Sequence, residues 1–123
     1  METLIIIGGI YSLTLGVFHL FFWKFFNWGK DLTKLSLVNK GIMQILNIQM
    51  IFVFFSTGLI CLFLRHQILE TTLGKLFLLA NSAFWGIRVI NQFIFLRIND
   101  YRIHLLTLVF IIGCILFLIP AIN

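Results

Sequence analysis

The sequence predicts an all-α membrane protein, a bundle of four transmembrane helices in up-down-up-down order. Of its 123 residues, 61% are hydrophobic and only 11% are charged, whereas a soluble domain carries roughly 25% charged residues. Four apolar runs each reach about the 20 residues that a helix needs to cross the hydrocarbon core of a bilayer. These runs cover residues 4–23, 41–64, 74–96 and 103–122, which leaves too little chain for a soluble domain.

Each run supports a helix for the same reasons. The runs are apolar on every side and about twice as long as the roughly 10-residue strands of a membrane barrel, so helices are favoured. The run 4–23 follows Met1-Glu2-Thr3, which lacks the basic start of a signal peptide, and we expect it to be retained. Short connections favour antiparallel neighbours and one transmembrane domain over residues 1–123.

Basic residues are distributed unequally among the three connections. They are Lys24, Lys30, Lys34 and Lys40 in or beside the first, Arg65 and Lys75 in the second, and Arg97 and Arg102 in the third. The positive-inside rule therefore predicts a multi-pass protein of the inner (plasma) membrane, with the first and third connections cytoplasmic and both termini outside. The aromatic and lysine-rich connection 25–40 is expected to lie at the headgroup interface. Membrane lipids as partners thus account for the net charge of +5 without nucleic acid.

Small residues recur at helical spacing. Gly8, Ser12 and Gly16 follow one another every four residues in the first run, and Ser82 and Gly86 do so in the third. This spacing lets helix backbones approach closely in lipid. The pattern leaves open whether the contacts form within one chain, in a homo-oligomer, or in a larger membrane complex.

A polar stripe runs along the third helix. Its members are spaced i, i+4, i+7 and i+11 and are Asn81, Trp85, Arg88 and Gln92. Asn91 lies one turn from Arg88. An arginine near the centre of a span costs roughly 2.5–3.5 kcal/mol on insertion scales. We therefore expect Arg88 to be buried inside the bundle, where polar partners, a wet cavity or a bound anion offset this cost.

Polar residues of all four helices align at one depth, using a rise of about 1.5 Å per residue. Together they predict a pocket near the cytoplasmic side that binds a small anionic or amphiphilic ligand, such as a lipid headgroup or a transported solute. The predicted ligand-binding residues are Arg88, Asn47, Asn91, Gln92, His19, His104, Gln44, Trp85 and Tyr101. No aspartate or glutamate lies within the spans. The forked guanidinium of Arg88 would therefore suit a carboxylate or phosphate of the ligand.

Two other functions remain open from the sequence. In the first, the chain is a structural or accessory subunit whose polar network only fixes helix packing. In the second, His19 and His104 ligate a haem, which needs only two histidines. No catalytic set and no metal-ligand cluster is recognisable, and Cys61 and Cys114 form no CxxC motif, so we expect no cofactor, no metal and no enzymatic activity.

Two stretches resemble a pattern in small, uncharacterised bacterial four-span membrane proteins. They are His19 through Trp28, Leu32 and Leu35 to Asn39 and Met43, and Phe84-Trp85-Gly86-Ile87-Arg88 followed by Gln92. The resemblance covers most of the chain and implies four transmembrane helices and a role for Arg88. It implies no activity.

Overall fold

The computed structural model describes all 123 residues and contains helices but no strands. Four helices are long and apolar enough to cross a membrane, which confirms the predicted all-α class with four long apolar helices. The elements are α1 (Glu2–Leu20), α2 (Phe22–Phe25), α3 (Trp28–Asp31), a 3-10 turn (Leu32–Lys34), α4 (Leu37–Phe63), α5 (Arg65–Glu70), α6 (Thr72–Phe95) and α7 (Tyr101–Ile122).

The helix starts differ from the predicted ones because capping side chains extend the helices. The Ser36 hydroxyl accepts a hydrogen bond from the backbone N–H of Asn39 at 3.2 Å, so α4 begins at Leu37 rather than at 41. A carboxylate oxygen of Asp100 accepts from the backbone N–H of Arg102 at 2.8 Å, so α7 begins before residue 103. Such caps satisfy N–H groups that have no partner within the first turn of a helix.

The chain divides into two compact units, which we describe separately. Residues 1–8 and 61–123 form one unit, called here the α6–α7 unit, and residues 9–60 form the other, called the α1–α4 unit.

The α6–α7 unit has a tightly packed apolar core. The ring of Phe117 lies so close to Gly8 that a Cβ there would be 3.0 Å from it. The Ser82 hydroxyl donates a hydrogen bond to the backbone oxygen of Cys114 at 2.9 Å, and a Cβ on Gly86 would lie 3.6 Å from the sulfur of Cys114. The small residues Gly8, Ser82 and Gly86 therefore allow close contacts with α7 of the same chain.

The connection between α4 and α6 is held by an ion pair and a close backbone contact. Arg65 Nε donates to a carboxylate oxygen of Glu2 at 2.7 Å, and the same guanidinium donates to the backbone oxygen of Leu62 at 2.5 Å. Gly74 lies directly against the backbone of Ile68, where a Cβ would overlap main-chain atoms. These contacts link the start of α1 and the start of α6 to the short helix α5.

The α1–α4 unit is also packed through glycines. A Cβ on Gly16 would lie 3.1 Å from the Phe55 ring, and one on Gly58 would lie 2.9 Å from the backbone oxygen of Gly9. Ser12, which lies between Gly9 and Gly16 on α1, is buried as well.

Candidate functional site

The predicted ligand-binding residues belong to both units. Trp85, Arg88, Asn91, Gln92, Tyr101 and His104 lie in the α6–α7 unit, and His19, Gln44 and Asn47 lie in the α1–α4 unit.

Gln92 connects the polar stripe of α6 to the start of α7. Its side chain is only 1% exposed, and both ends of its amide have partners. Arg88 Nη1 donates to its oxygen Oε1 at 2.8 Å, and its nitrogen Nε2 donates to the backbone oxygen of Ile103 at 3.3 Å. A buried amide in lipid requires such partners, because hydrocarbon offers none.

Arg88 lies above an aromatic stack. Its guanidinium carbon is 4.6 Å from the centre of the Phe110 ring, which is itself stacked on Trp85 at 5.5 Å with an angle of 14° between the planes. A cation over an aromatic face is attracted by the negative charge of that face. Phe110 of α7 therefore contacts both Trp85 and Arg88 on one face of α6.

The expectation that Arg88 is buried is wrong. Its side chain is half-buried, and no charged side chain of the chain is buried. The buried polar residues are all neutral: Ser12, Asn47, Ser82 and Gln92. The guanidinium of Arg88 contacts the buried Gln92 amide and the Phe110 ring, while the long side chain of arginine leaves part of its surface uncovered.

A cavity of about 290 Å³ lies where α6 ends and α7 begins. It is lined by Gln92, Phe93, Leu96, Arg97, Ile98, Asn99, Ile103, His104 and Thr107. It therefore brings together two of the predicted residues, Gln92 and His104. The other predicted residues of this unit, Trp85, Arg88, Asn91 and Tyr101, do not line the cavity. Tyr101 is 77% exposed.

The sequence did not identify three polar residues of this cavity, Arg97, Asn99 and Thr107. From the sequence, Arg97 indicates only topology. Asn99 lies in the irregular segment between α6 and α7, where no helical periodicity indicates which residues meet. In the structure its side-chain oxygen is 3.0 Å from Nε2 of His104, five residues later.

The charged groups around the cavity are not equivalent. The backbone N–H of Arg102 and then its guanidinium bind the carboxylate of Asp100, and these bonds hold the pKa of Asp100 below its ordinary value. Asp100 therefore already occupies the positive end of α7. Arg97, by contrast, is exposed and forms no ion pair within the chain.

In the α1–α4 unit, His19 and Asn47 meet at the end of α1. The side-chain nitrogen Nδ2 of Asn47 donates to the backbone oxygen of His19 at 3.1 Å, while its oxygen is buried without a hydrogen bond. The His19 ring is bonded through Nδ1 to the backbone oxygen of Leu15 at 2.8 Å and stacks on Phe22 at 4.1 Å. Asn47 thereby satisfies one of the carbonyls that a helix leaves without a partner at its end. Gln44, one turn earlier on α4, is half-buried.

The α6–α7 cavity is therefore lined by both apolar and polar side chains, and the polar ones include an arginine, amides, an imidazole and a hydroxyl. These side chains offer a positive charge and hydrogen-bonding groups beside apolar surface. Comparison of the chain with protein families, with curated proteins and with solved structures finds no match.

Proposed function

We propose that the protein is a multi-pass membrane protein that binds a small anionic or amphiphilic ligand, a lipid headgroup or a transported solute, in the α6–α7 cavity. The observation that supports this function best is the pairing of one unpaired cation, Arg97, with a cavity of about 290 Å³. Phe93, Leu96 and Ile98 give the cavity apolar walls. A ligand with an anionic head and an apolar body matches both parts.

Two groups are available to hold the head of the ligand. The guanidinium of Arg97 and the amide nitrogen of Asn99 have no hydrogen bond within the chain, whereas both ends of the Gln92 amide are engaged. Gln92 then forms a rigid wall, and Arg97 supplies the charge. Arginine suits this role because its fork binds the two oxygens of a carboxylate or phosphate together.

The distribution of charges supports a cytoplasmic position for this cavity. Six basic residues lie in or beside the first and third connections and two in the second, and the positive-inside rule counts these residues whether or not they are paired. The cavity includes residues of the third connection, so the proposed cytoplasmic side of the cavity follows from that count.

The proposal is tested with the purified full-length chain and two matched variants. Arg97→Gln removes the unpaired cation of the cavity, and Arg102→Gln removes a nearby cation that is not part of its wall. Native mass spectrometry with short-chain phosphatidylglycerol or with inorganic phosphate measures occupancy. We expect Arg97→Gln to lower occupancy about fivefold, since each basic residue contributes about 1 kcal/mol to binding an anionic headgroup.

The two probes separate a lipid headgroup from a free solute. Binding of phosphatidylglycerol but not of phosphate identifies a lipid ligand, and binding of both identifies the phosphate group itself as the recognised part. If Arg97→Gln and Arg102→Gln reduce occupancy equally, or neither reduces it, the cavity does not bind anions and the proposal is wrong.

A second function, that of a structural or accessory subunit, is favoured by the amide of Gln92. This amide is buried, and its oxygen and its nitrogen each have a hydrogen-bond partner, as expected of a group that fixes the register of two helices. On this hypothesis Arg88→Leu and substitutions of Gln92 change stability or assembly, while no probe binds in the cavity. The difference in phosphatidylglycerol occupancy between the native chain and Arg97→Gln therefore distinguishes the two functions.

A further inference from the structure

The connection between α1 and α4 is folded rather than extended, and it forms an apolar groove. The groove has a volume of about 430 Å³ and is lined by Phe22, Phe26, Trp28, Asp31, Leu32, Leu35 and Met43. Six of these seven side chains are apolar. The groove lies wholly within the α1–α4 unit and is separate from the α6–α7 cavity.

The floor of the groove is built by a reversal of the chain at Asn27. This residue has a φ of 53°, the left-handed conformation that asparagine tolerates better than most residues. After the reversal, the Trp28 ring packs edge-on against Phe22, with the ring centres 5.5 Å apart. Trp28 is 8% exposed and Leu32 is 2% exposed, so the folded connection has a small core of its own.

The rim of the groove, unlike its floor, is exposed. Phe26, Leu35 and Met43 each leave more than a third of their surface uncovered, although all three are apolar. Exposed apolar side chains around a concave surface are typical of a binding groove or of contact with lipid. An occupant with a long apolar part would cover both rim and floor.

The charges of the connection indicate what kind of apolar occupant fits. The connection contains the lysines Lys24, Lys30 and Lys34 but only one carboxylate, Asp31, which lies 3.8 Å from Lys34. Both groups of that pair are largely exposed, so the pair is weak. Lys24 and Lys30 have no acidic partner, so the connection as a whole has a net positive charge, although the one charged residue that lines the groove itself is Asp31.

We propose that this groove binds an acyl chain of an anionic phospholipid, whose headgroup phosphate contacts the lysines of the connection. An aromatic and lysine-rich segment directly after a membrane-spanning helix lies at headgroup depth, where both parts of such a lipid are present. A second copy of the chain fits less well, because it would place two lysine-rich connections against each other. The acyl chain matches the apolar lining of the groove, and the anionic headgroup matches the net positive charge of the connection.

Tryptophan fluorescence tests the proposal in the full-length chain. The substitutions Trp23→Phe and Trp85→Phe leave Trp28, in the wall of the groove, as the only tryptophan of this protein. The variant is reconstituted in two kinds of phosphatidylcholine nanodisc. One contains phosphatidylglycerol with brominated acyl chains, and the other contains the same mole fraction of phosphatidylcholine with brominated acyl chains. Bromine quenches tryptophan only at short range, so quenching reports an acyl chain in the groove.

We expect brominated phosphatidylglycerol to quench Trp28 more strongly, at an occupancy on the order of tenfold higher than that of phosphatidylcholine. The double substitution Lys24→Gln and Lys30→Gln should remove this preference. Leu35→Asp, which places a negative charge at the rim, should lower quenching by both lipids. Arg97→Gln should leave the preference unchanged, because that residue belongs to the other cavity; this separates the present proposal from the proposed function.

Three results would overturn the proposal. The first is equal quenching by the two brominated lipids, and the second is a preference that survives the loss of both lysines. The third is protection of Trp28 from both lipids, which would show that a second copy or another protein covers the groove.

Discussion

Replacing Gln92 by leucine should destabilise the protein by an amount that depends on Arg88. The substitution removes two hydrogen bonds, one from Arg88 at 2.8 Å and one to the backbone oxygen of Ile103 at 3.3 Å. A hydrogen bond to a charged group contributes about 1.5–3 kcal/mol. We take the lower end, about 1.5 kcal/mol, because Arg88 is only half-buried.

The second bond should contribute less. Hydrogen bonds between helices in a membrane average about 0.6 kcal/mol, and 3.3 Å is near the long limit for an N–H to oxygen bond. Gln92→Leu should thus lower the free energy of unfolding by about 2 kcal/mol in the native chain. In the Arg88→Leu background only the bond to Ile103 remains to be lost, so the cost should fall to about 0.6 kcal/mol.

A double-mutant cycle over Arg88 and Gln92 measures this difference. Reversible unfolding of the four proteins in mixed micelles of a mild detergent and dodecyl sulfate, followed by circular dichroism, gives the free energies. Asn91→Leu is the control, since this neighbouring amide of α6 is half-buried and forms no hydrogen bond within the chain. It should cost little in either background. An equal cost of Gln92→Leu with and without Arg88 would refute the coupling and show that the two side chains act independently.

Two further predictions concern helix starts. Gly74→Ala should lower the melting temperature, because the new Cβ would overlap the backbone of Ile68. Gly41→Ala in α4 is the control, since its Cβ meets no atom within 4 Å, and it should be neutral or stabilising. Equal melting temperatures for the two variants would contradict the close contact of Gly74 with Ile68. Asp100→Asn keeps a capping oxygen but removes the charge that Arg102 binds. Because the native pKa of Asp100 is lowered, the stabilising effect of its charge is present above about pH 3.9, the ordinary value. The melting difference from the native chain should therefore shrink as the pH falls below this value, and a difference that grows instead would refute the assignment.

The membrane class and the approximate helix positions were predictable from the sequence because they depend on local properties. Length and apolarity decide whether a segment can cross hydrocarbon, whichever residues surround it. Even so, the end of α1 at Leu20 rather than 23 and the start of α4 at Leu37 rather than 41 were missed. These ends depend on caps and on the folded connection between the two helices, which apolar runs do not indicate.

The candidate site was predictable only in part. Helical periodicity correctly placed Arg88 and Gln92 on one face of α6, where they form a hydrogen bond. It did not indicate that Gln92 is buried while Arg88 is not, or that Arg97 and Asn99 line the cavity. The convergence of all nine predicted residues on one pocket stays a prediction.

Composition and apolar runs are enough to establish that the chain is helical, that it has four apolar helices and that its basic residues lie mostly in the first and third connections. Which polar side chains meet depends on the fold. The reason is that residues 96–100 form no helix and that the connection before α4 consists only of α2, α3 and a 3-10 turn, so neither segment is long enough to show a regular sequence period, and its side-chain positions follow from packing. The α6–α7 cavity and the groove beside Trp28 are each lined in part by one of these segments.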